Sequence, residues 1–359
     1  FEGEWRAVEG SRYFQSPVLY KENGFKKKED AQKLICELST QQPLICTVEK
    51  IERKKENKNP PLLFNLAELQ NVCSKLFKIS PDETLSIVQD LYEKKLVTYP
   101  RTDARVLSTA VAKEIYKNIS GLRNYPQAGE AAQGALELGA YKNIAKTRYT
   151  NDKQITDHYA IIPTGQGLGA LKGLSLTAQR VYETIVRRFL SIFYPPAVYQ
   201  KVSLVTKMEN ESFFSSFKVL LSEGYLKIAA NSFAKKSMAE ASGKTPESEG
   251  EGEVSCDEAL LAALQKLKKG DILNINGLGI KEGETSPPKR YSSGTLILAM
   301  ENAGQLIEDE ELRSQIKGSG IGTSATRDSI ITKLVTNKYI ALNKKTPVSY
   351  THLRAHETE

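Results

Sequence analysis

Apolar residues recur with two different periods along this chain, and the change of period marks its organisation. The stretch PLICTVEKIERKK (43–55) has the β-branched, partly alternating pattern of a strand that runs into a charged turn. In NLAELQNVCSKLF (65–77) the apolar residues instead line one face of a helix. Pro60 and Pro61 separate the two patterns. We therefore predict a β-rich segment at 1–64 and a helical segment at 65–189.

Two helix-start signals precede a short extended run that ends at Tyr99. Asn65 can cap the first helix, and Ser80 followed by Pro81 begins the second. The run LVTY (96–99) then has the composition of a short strand. Helix, tight turn, helix and strand in this order are typical of a helix-turn-helix or winged-helix unit.

Strand pattern returns after the helical insertion. Residues 190–285 contain alternating stretches at 198–228, a polar Gly/Ser/Glu-rich run at 236–255 that predicts a flexible loop, and a further strand in GDILNING. Residues 286–347 carry the last helical pattern. The predicted fold class is α+β, with several domains and a helical domain inserted into a β-rich one.

Composition excludes some classes of protein and favours polyanion partners only weakly. The 359 residues are 40% hydrophobic and 26% charged, with no signal-peptide pattern and no apolar run of membrane length. The four cysteines are scattered without zinc-ligand spacing, so no metal site is predicted within the chain. The net charge is +7, and positive residues dominate 317–345.

The stretch LVTYPRTDARVLS (96–108) is the strongest candidate for chemistry. In an extended segment Tyr99, Arg101 and Asp103 project from the same side, and Pro100 stiffens the turn between them. A phenol that attacks a phosphate needs a cation to stabilise the charge that develops, and a guanidinium can grip that phosphate with two hydrogen bonds. By position alone, Tyr99 also suits a packing residue, and the chain also suits a non-catalytic DNA-binding helix-turn-helix module. A tyrosine recombinase would require a His-x-x-Arg pair, which His158-Tyr-Ala-Ile does not supply.

Four stretches in one order resemble type IA DNA topoisomerases, in particular the topoisomerase III branch. They are PPLLFNLAELQ with LYEKKLVTYPRTD, then DHYAIIPT (157–164), PPKRYSSGTLILAMENAG (287–304) and GIGTSATRDSIITKLVTNKYI (320–340). The resemblance spans residue 1 to about 346. It implies a β-rich gate domain in the two segments 1–64 and 190–285, an inserted winged-helix-like domain at 65–189 that carries the tyrosine, and part of a helical DNA-binding domain at 286–347.

The resemblance also implies roles for individual residues. Tyr99 would attack a backbone phosphate and hold the 5′ end of the broken strand, Arg101 would grip the scissile phosphate, and His158 would assist DNA contact or proton movement. The residues expected to contact DNA are Thr102, Asp103, Arg290, Thr323, Ser324, Thr326 and Arg327. The enzyme class implied is an ATP-independent isomerase that cuts one strand, passes another and religates, with single-stranded DNA segments as partner in the bacterial cytoplasm. A helicase partner stays open.

The chain departs from the family pattern in several places. Ala104 stands where the family more often has Ser, and Val106 stands where it more often has Tyr or a similar residue. Tyr159 stands where this branch commonly has a second His. The family's acidic Mg²⁺-binding domain is not recognisable before Tyr99, so Mg²⁺ is implied as a cofactor whose ligands lie outside this chain. The chain begins with Phe in mid-pattern, as expected of a piece of a longer protein. Residues 348–359 do not continue the pattern, and we expect them to be a non-native tail.

Overall fold

A computed structural model gives the fold of the chain. It describes residues 1–40, 42–233, 254–255, 258–285, 287, 289–306, 320–343 and 346–349. The strands in chain order are β1 (Glu4–Arg6), β2 (Leu19–Lys21), β3 (Gly24–Phe25), β4 (Ile45–Lys58), β5 (Ala197–Met208), β6 (Glu211–Ser222), β7 (Val254–Ser255), β8 (Ile272–Asn274), β9 (Ile340–Asn343) and β10 (Thr346–Ser349).

The α-helices are spread over the whole chain. In order they are α1 (Lys28–Leu38), α2 (Leu66–Phe77), α3 (Pro81–Glu93), α4 (Thr109–Glu114), α5 (Tyr116–Gly121), α6 (Gly129–Leu138), α7 (Leu176–Ser191), α8 (Leu226–Ala229), α9 (Glu258–Lys266), α10 (Ser293–Glu301) and α11 (Arg327–Thr336). Among the described residues, no helix is both long and apolar enough to cross a bilayer.

The chain divides into two compact units. The first comprises Phe1–Lys58, Pro196–Glu223 and Lys235–Ser286, and the second comprises Asn59–Pro195, Gly224–Ala234 and Pro287–Glu359. The mixed α/β character agrees with the predicted fold class, whereas the predicted domain roles stay predictions. The predicted flexible loop lies outside the described residues, except for its end, where Val254–Ser255 pairs with β6 as a short parallel strand.

The first unit is built on one sheet with the strand order β1-β6-β5-β4-β8. The neighbouring strands along this path are antiparallel, and β4 pairs with β5 from Thr47 to Lys58. Apolar side chains from one sheet face meet helix α9, and this core consists of Val48, Val202, Leu204, Phe217, Leu261 and Leu264. Alternation in β4 and β5 thus buries one face, as the period-two pattern predicts.

The buried carboxylate of Glu211, the first residue of β6, binds the N-terminal segment. Glu211 is 0% exposed. Its oxygens accept hydrogen bonds from Trp5 Nε1 at 2.7 Å, Ser11 Oγ at 2.7 Å and the Arg12 backbone N–H at 3.1 Å. Three donors satisfy the acid, as a buried charged group requires.

The second unit has a larger core, into which the two capped helices pack. Asn65 Oδ1 accepts from the Glu68 N–H at 2.9 Å, and Ser80 Oγ accepts from the Glu83 N–H at 3.1 Å. Both predicted caps are therefore present. The largest buried side chains of this core come from α2, α3, α7 and the segments beside them, and they include Phe64, Leu69, Leu91, Leu96, Tyr182 and Phe189.

Helix α10 lies against α2 in the same unit. An added Cβ at Gly294 would lie 2.9 Å from Asn71 Cα and 3.1 Å from Ser74 Cβ, which is too close for any larger residue without a shift. Ile297 and Met300 of α10 are buried with Ala67 of α2 and Ile331 of α11. This small cluster fixes the last helices beside the segment that carries Tyr99.

Three local predictions were wrong. The charged residues of PLICTVEKIERKK do not form a turn, because β4 continues through them to Lys58. The stretch GYLKIA (224–229) is not a strand, because residues 226–229 form the short helix α8, whose Ile228 carbonyl accepts from Arg187 Nη1 at 3.2 Å. The run LVTY is not a regular strand either, since only Val97 makes a bridge, antiparallel to Pro163.

Candidate active site around Tyr99

The segment before Tyr99 is fixed by backbone hydrogen bonds to DHYAIIPT. The Thr98 N–H donates to the Ile162 carbonyl at 3.0 Å, and the Thr164 N–H donates to the Leu96 carbonyl at 3.0 Å. The Thr98 hydroxyl donates to the Ala160 carbonyl at 3.0 Å and accepts from the Ile162 N–H at 2.9 Å. Tyr99 therefore follows a residue whose backbone and side chain are both held.

The phenol of Tyr99 lies between two other rings. Its centroid is 4.3 Å from that of His158, at an interplanar angle of 38°, and 5.5 Å from that of Tyr92, edge to face. Tyr99 is half-buried and His158 is exposed. The Thr102 hydroxyl donates to the His158 carbonyl at 2.9 Å, which ties the two motifs together beyond the tyrosine. The structure thus brings the predicted residues Tyr99, Thr102 and His158 together.

Arg101 is anchored to a segment far away in sequence. Its Nη1 donates to the Ala325 carbonyl at 3.2 Å. This contact joins the tyrosine segment to GIGTSATR. A guanidinium has five N–H donors, so one bond to a carbonyl leaves donors for a phosphate.

Asp103 and Arg327 form an ion pair, which is a second contact between the tyrosine segment and GIGTSATR. Arg327 Nη1 lies 2.8 Å from Asp103 Oδ1. Arg327 is only 5% exposed, while about half of the Asp103 side chain, 50%, is accessible. The predicted DNA-contact residue Arg327 is therefore engaged with protein atoms, next to the candidate nucleophile.

Asn65 joins the tyrosine segment to the end of α10. Its side-chain nitrogen donates to Glu301 Oε1 at 2.6 Å and to the Asp103 carbonyl at 3.1 Å, and the residue is 1% exposed. Burial raises the pKa of the Glu301 carboxyl above its ordinary value, and the charge of Asp103 raises it further. This rise in pKa is opposed by the positive charges of Arg327 and Arg105 and by the hydrogen bond from Asn65.

The remaining predicted DNA contacts lie on two exposed stretches. Thr323 and Thr326 form a turn in which the Thr326 hydroxyl accepts from the Thr323 N–H at 2.9 Å, and Ser324 is half-buried within it. The turn leads directly into α11. Arg290 is exposed, shortly before α10, and no described contact joins it to Tyr99.

The described residues do not form a site for the implied Mg²⁺. Among them, no group of three or more His, Cys, Asp or Glu is arranged to hold a metal. The two acids of this network, Asp103 and Glu301, are hydrogen-bonded to Arg327 and Asn65.

Sequence reasoning missed four parts of the site. Asn65 was predicted only as a helix cap, Glu301 was not singled out within LAMENAG, and the Ala325 carbonyl is a backbone group without a sequence signal. Tyr92 of α3 was not singled out either, yet it is 38% exposed and its ring lies against that of Tyr99. The one hint of this contact was that Tyr92 lies on α3, the helix that ends shortly before Tyr99.

Comparison with known proteins decides the family. A model of the DNA topoisomerase family matches residues 6–353. This chain belongs to that family. The predicted resemblance to type IA DNA topoisomerases of the topoisomerase III branch is confirmed by the relatives described next.

The curated relatives are topoisomerases of the same branch. The chain is 37% identical over 278 residues to DNA topoisomerase 3 of Bacillus licheniformis, covering 76% of this chain and 35% of the relative. It is 32% identical over 332 residues to DNA topoisomerase 3 of Bacillus subtilis, covering 91% of this chain and 42% of the relative. The chain thus spans about two fifths of the length of these relatives.

The fold also resembles a solved topoisomerase. The structure of full-length topoisomerase I from Thermotoga maritima matches with a TM-score of 0.58 at 21% identity. The match covers 92% of this chain and 46% of that protein. At this identity the similarity supports the fold.

Proposed function

We propose that this chain is the tyrosine-bearing part of a type IA, topoisomerase III-like enzyme. The observation that carries the proposal is the arrangement around Tyr99. The phenol lies against the His158 ring at 4.3 Å, and two residues further on the Arg101 guanidinium is held by the Ala325 carbonyl. A nucleophile, a nearby imidazole and an oriented cation are the groups that phosphoryl transfer requires.

The proposed step exchanges one phosphodiester for another. The Tyr99 oxygen forms a bond to the phosphorus of the scissile phosphate, and the bond from phosphorus to the 3′ oxygen breaks. The phenol proton passes to a base, for which His158 is the candidate beside the ring, and the departing 3′ oxygen takes up a proton. Because the phosphotyrosine conserves the phosphodiester bond, the reverse attack by the 3′ hydroxyl reseals the strand without ATP.

Arg101 stabilises the charge on the phosphate in this proposal. Its guanidinium is half-buried and fixed at one nitrogen, so less side-chain entropy is lost when the remaining N–H groups bind phosphate oxygens. The hydroxyls of Thr323, Ser324 and Thr326, with Arg290 and the exposed carboxylate of Asp103, would line the path of the strand, whereas the buried Thr102 and Arg327 would support it from within the protein. Residues held by the backbone, as Thr98 is, provide the rigid support that such positioning demands.

The activity of the whole enzyme extends this step. We propose that the intact protein breaks one strand of DNA, passes another through the gap and religates, in a bacterial cytoplasm and with Mg²⁺ bound by residues outside this chain. Single-stranded segments are the expected substrate, since the phosphate must reach a half-buried tyrosine.

The experiment measures a covalent protein–DNA adduct. The chain is mixed with Mg²⁺, end-labelled single-stranded DNA and the part of the Bacillus subtilis relative that this chain does not cover, and then denatured. We expect a labelled adduct that disappears in Tyr99→Phe and persists in the control Tyr159→Phe, whose half-buried ring lies in the same motif as His158. DNA binding without an adduct would contradict the catalytic proposal and leave a binding module.

A further inference from the structure

The guanidinium of Arg327 points into the protein. Nη1 donates to Asp103 Oδ1 at 2.8 Å, Nε to the Ile321 carbonyl at 3.3 Å, and Nη2 to the Gly322 carbonyl at 3.3 Å. Each of its three nitrogens therefore has a protein acceptor, and the residue is 5% exposed. A phosphate contact by this side chain would require breaking bonds within a buried, charge-assisted network.

The bonds of Arg327 determine the course of residues 320–326. The segment turns at Gly322, whose φ of +68° lies in the left-handed region. A Cβ there would also approach the Ile330 side chain to 2.9 Å and the Thr326 hydroxyl to 3.0 Å. Arg327 closes over this turn, because it binds the carbonyl of Gly322 and that of the residue before it.

The same segment supplies the anchor of Arg101. Ala325, whose carbonyl accepts from Arg101 Nη1, lies between the Gly322 turn and Arg327. Residues 320–323, 325 and 326 are exposed, so little apolar burial holds this segment in place. Besides the bond from Arg101, the ion pair of Arg327 with Asp103 joins the segment to residues 101–103, and the Ile321 N–H donates to the Met300 carbonyl at 2.7 Å.

We propose that Arg327 is a positioning residue that fixes the 320–326 segment against Asp103, so that the Ala325 carbonyl orients Arg101 toward the scissile phosphate. This role differs from the phosphate contact that the family resemblance implies for Arg327. It rests on the proposed function for its catalytic consequence. Its structural content, that Arg327 controls Arg101, is independent of any DNA chemistry.

The first measurement uses the chain without DNA. The guanidinium proton signals of Arg101 are recorded by NMR and assigned by their loss in Arg101→Lys. In Arg327→Gln we expect these signals to move to the position and fast exchange of a freely solvated arginine. The same change is expected in Asp103→Asn, which breaks the ion pair from its half-exposed side and tests the proposal even if Arg327→Gln does not fold.

Arg105→Gln is the matched control. Arg105 is a neighbouring half-buried arginine whose Nε donates to the Leu63 carbonyl at 3.2 Å and whose Nη2 lies 3.8 Å from Glu68. Its loss should leave the Arg101 signals where they are. Unchanged Arg101 signals in a folded Arg327→Gln or Asp103→Asn variant would overturn the proposal.

The second measurement is a double-mutant cycle on adduct formation. Misplacing a catalytic group by about 1 Å costs roughly 100-fold in rate, so Arg327→Gln should slow the adduct by about that factor. In an Arg101→Ala background, the same substitution should add less than about twofold, because Arg327 would act through Arg101. Multiplying effects would show that the two arginines act separately.

The salt dependence of binding separates positioning from phosphate contact. Each phosphate contact to single-stranded DNA contributes about 0.7 to the slope of log affinity against log salt. Arg101→Ala should lower the slope by about that amount, and Arg327→Gln should leave it unchanged. An equal loss of slope in Arg327→Gln would make Arg327 a phosphate ligand. Absence of an adduct would defeat the proposed function alone, since the NMR result and the slope do not depend on cleavage.

Discussion

The two segments that meet beside Tyr99 are held in different ways. Residues 96–102 are joined to 158–164 by backbone hydrogen bonds, with the buried Leu96 and Val97 beneath them. Residues 320–326 are mostly exposed, and they are joined to residues 101–103 by the Asp103–Arg327 pair and the Arg101–Ala325 bond. The first segment belongs to the core, whereas the second depends on a few polar contacts.

This difference predicts that the two segments respond differently to substitution. A segment held by many backbone hydrogen bonds keeps its position after most substitutions, because its position does not depend on any single side chain. A segment held by a few polar contacts can shift when one of the side chains that make them changes. We infer that the candidate nucleophile Tyr99 is held rigidly, while Arg101 is oriented by the more adjustable segment 320–326.

The largest expected effect on stability comes from a substitution in residues 96–102, the rigidly held segment. Thr98→Val keeps the shape of the side chain but removes the hydroxyl that binds the Ala160 carbonyl and the Ile162 N–H. Leaving two part-buried backbone groups without that partner should lower the free energy of unfolding by about 1–3 kcal/mol, measured by urea denaturation.

Thr332→Val is the control for this loss. Thr332 is exposed on α11, and its hydroxyl donates to the Asp328 carbonyl of its own helix at 3.1 Å. The change there should stay within about 0.5 kcal/mol. Equal losses in the two variants would show that the contacts of Thr98 are not special.

A smaller effect on stability is expected from a substitution in residues 320–326, the more adjustable segment. Gly322→Ala introduces a Cβ at a left-handed φ, which costs roughly 1 kcal/mol, and the new methyl also crowds Ile330 and Thr326. Because the segment is exposed, we expect less loss of global stability than in Thr98→Val but a clear change in the Arg101 NMR signals. Gly277→Ala, where a Cβ would meet nothing within 4 Å, is the control.

The smallest effect concerns pH and Glu301. Its pKa is raised in the folded state, so the folded protein binds this proton more tightly than the unfolded chain. The resulting stabilisation is complete below the unfolded pKa, near 4.3, and is lost as pH rises through the higher folded pKa. Glu301→Gln should therefore flatten this part of the stability profile, measured as the melting temperature from pH 4 upward.

The sign of that change is what the test decides. A profile that becomes steeper in Glu301→Gln, or one that is unchanged, would show that attraction from Arg327 and the bond from Asn65 outweigh burial. Glu83→Gln, at the exposed start of α3, is the control for replacing a glutamate with glutamine.

Local signals predicted much of the fold. The caps at Asn65 and Ser80 and the first part of strand β4 were predicted because each depends on residues within a few positions of one another. The stretch 224–229 was predicted wrongly, since alternating apolar residues there end in a short helix. That helix is held by distant groups: Arg187 binds the Ile228 carbonyl, and Glu183 accepts from the Ser232 N–H at 2.7 Å.

The sequence by itself determined the order of the motifs, the family and the candidate nucleophile Tyr99, because these depend on residue types and spacing. Only the tertiary structure decided that Asn65 joins Glu301 to the Asp103 carbonyl, and that Arg327 faces Asp103 instead of solvent. Those contacts join residues more than two hundred positions apart in the chain or run through backbone carbonyls. Neither long-range proximity nor a carbonyl's direction leaves a pattern in one sequence, so packing alone placed them.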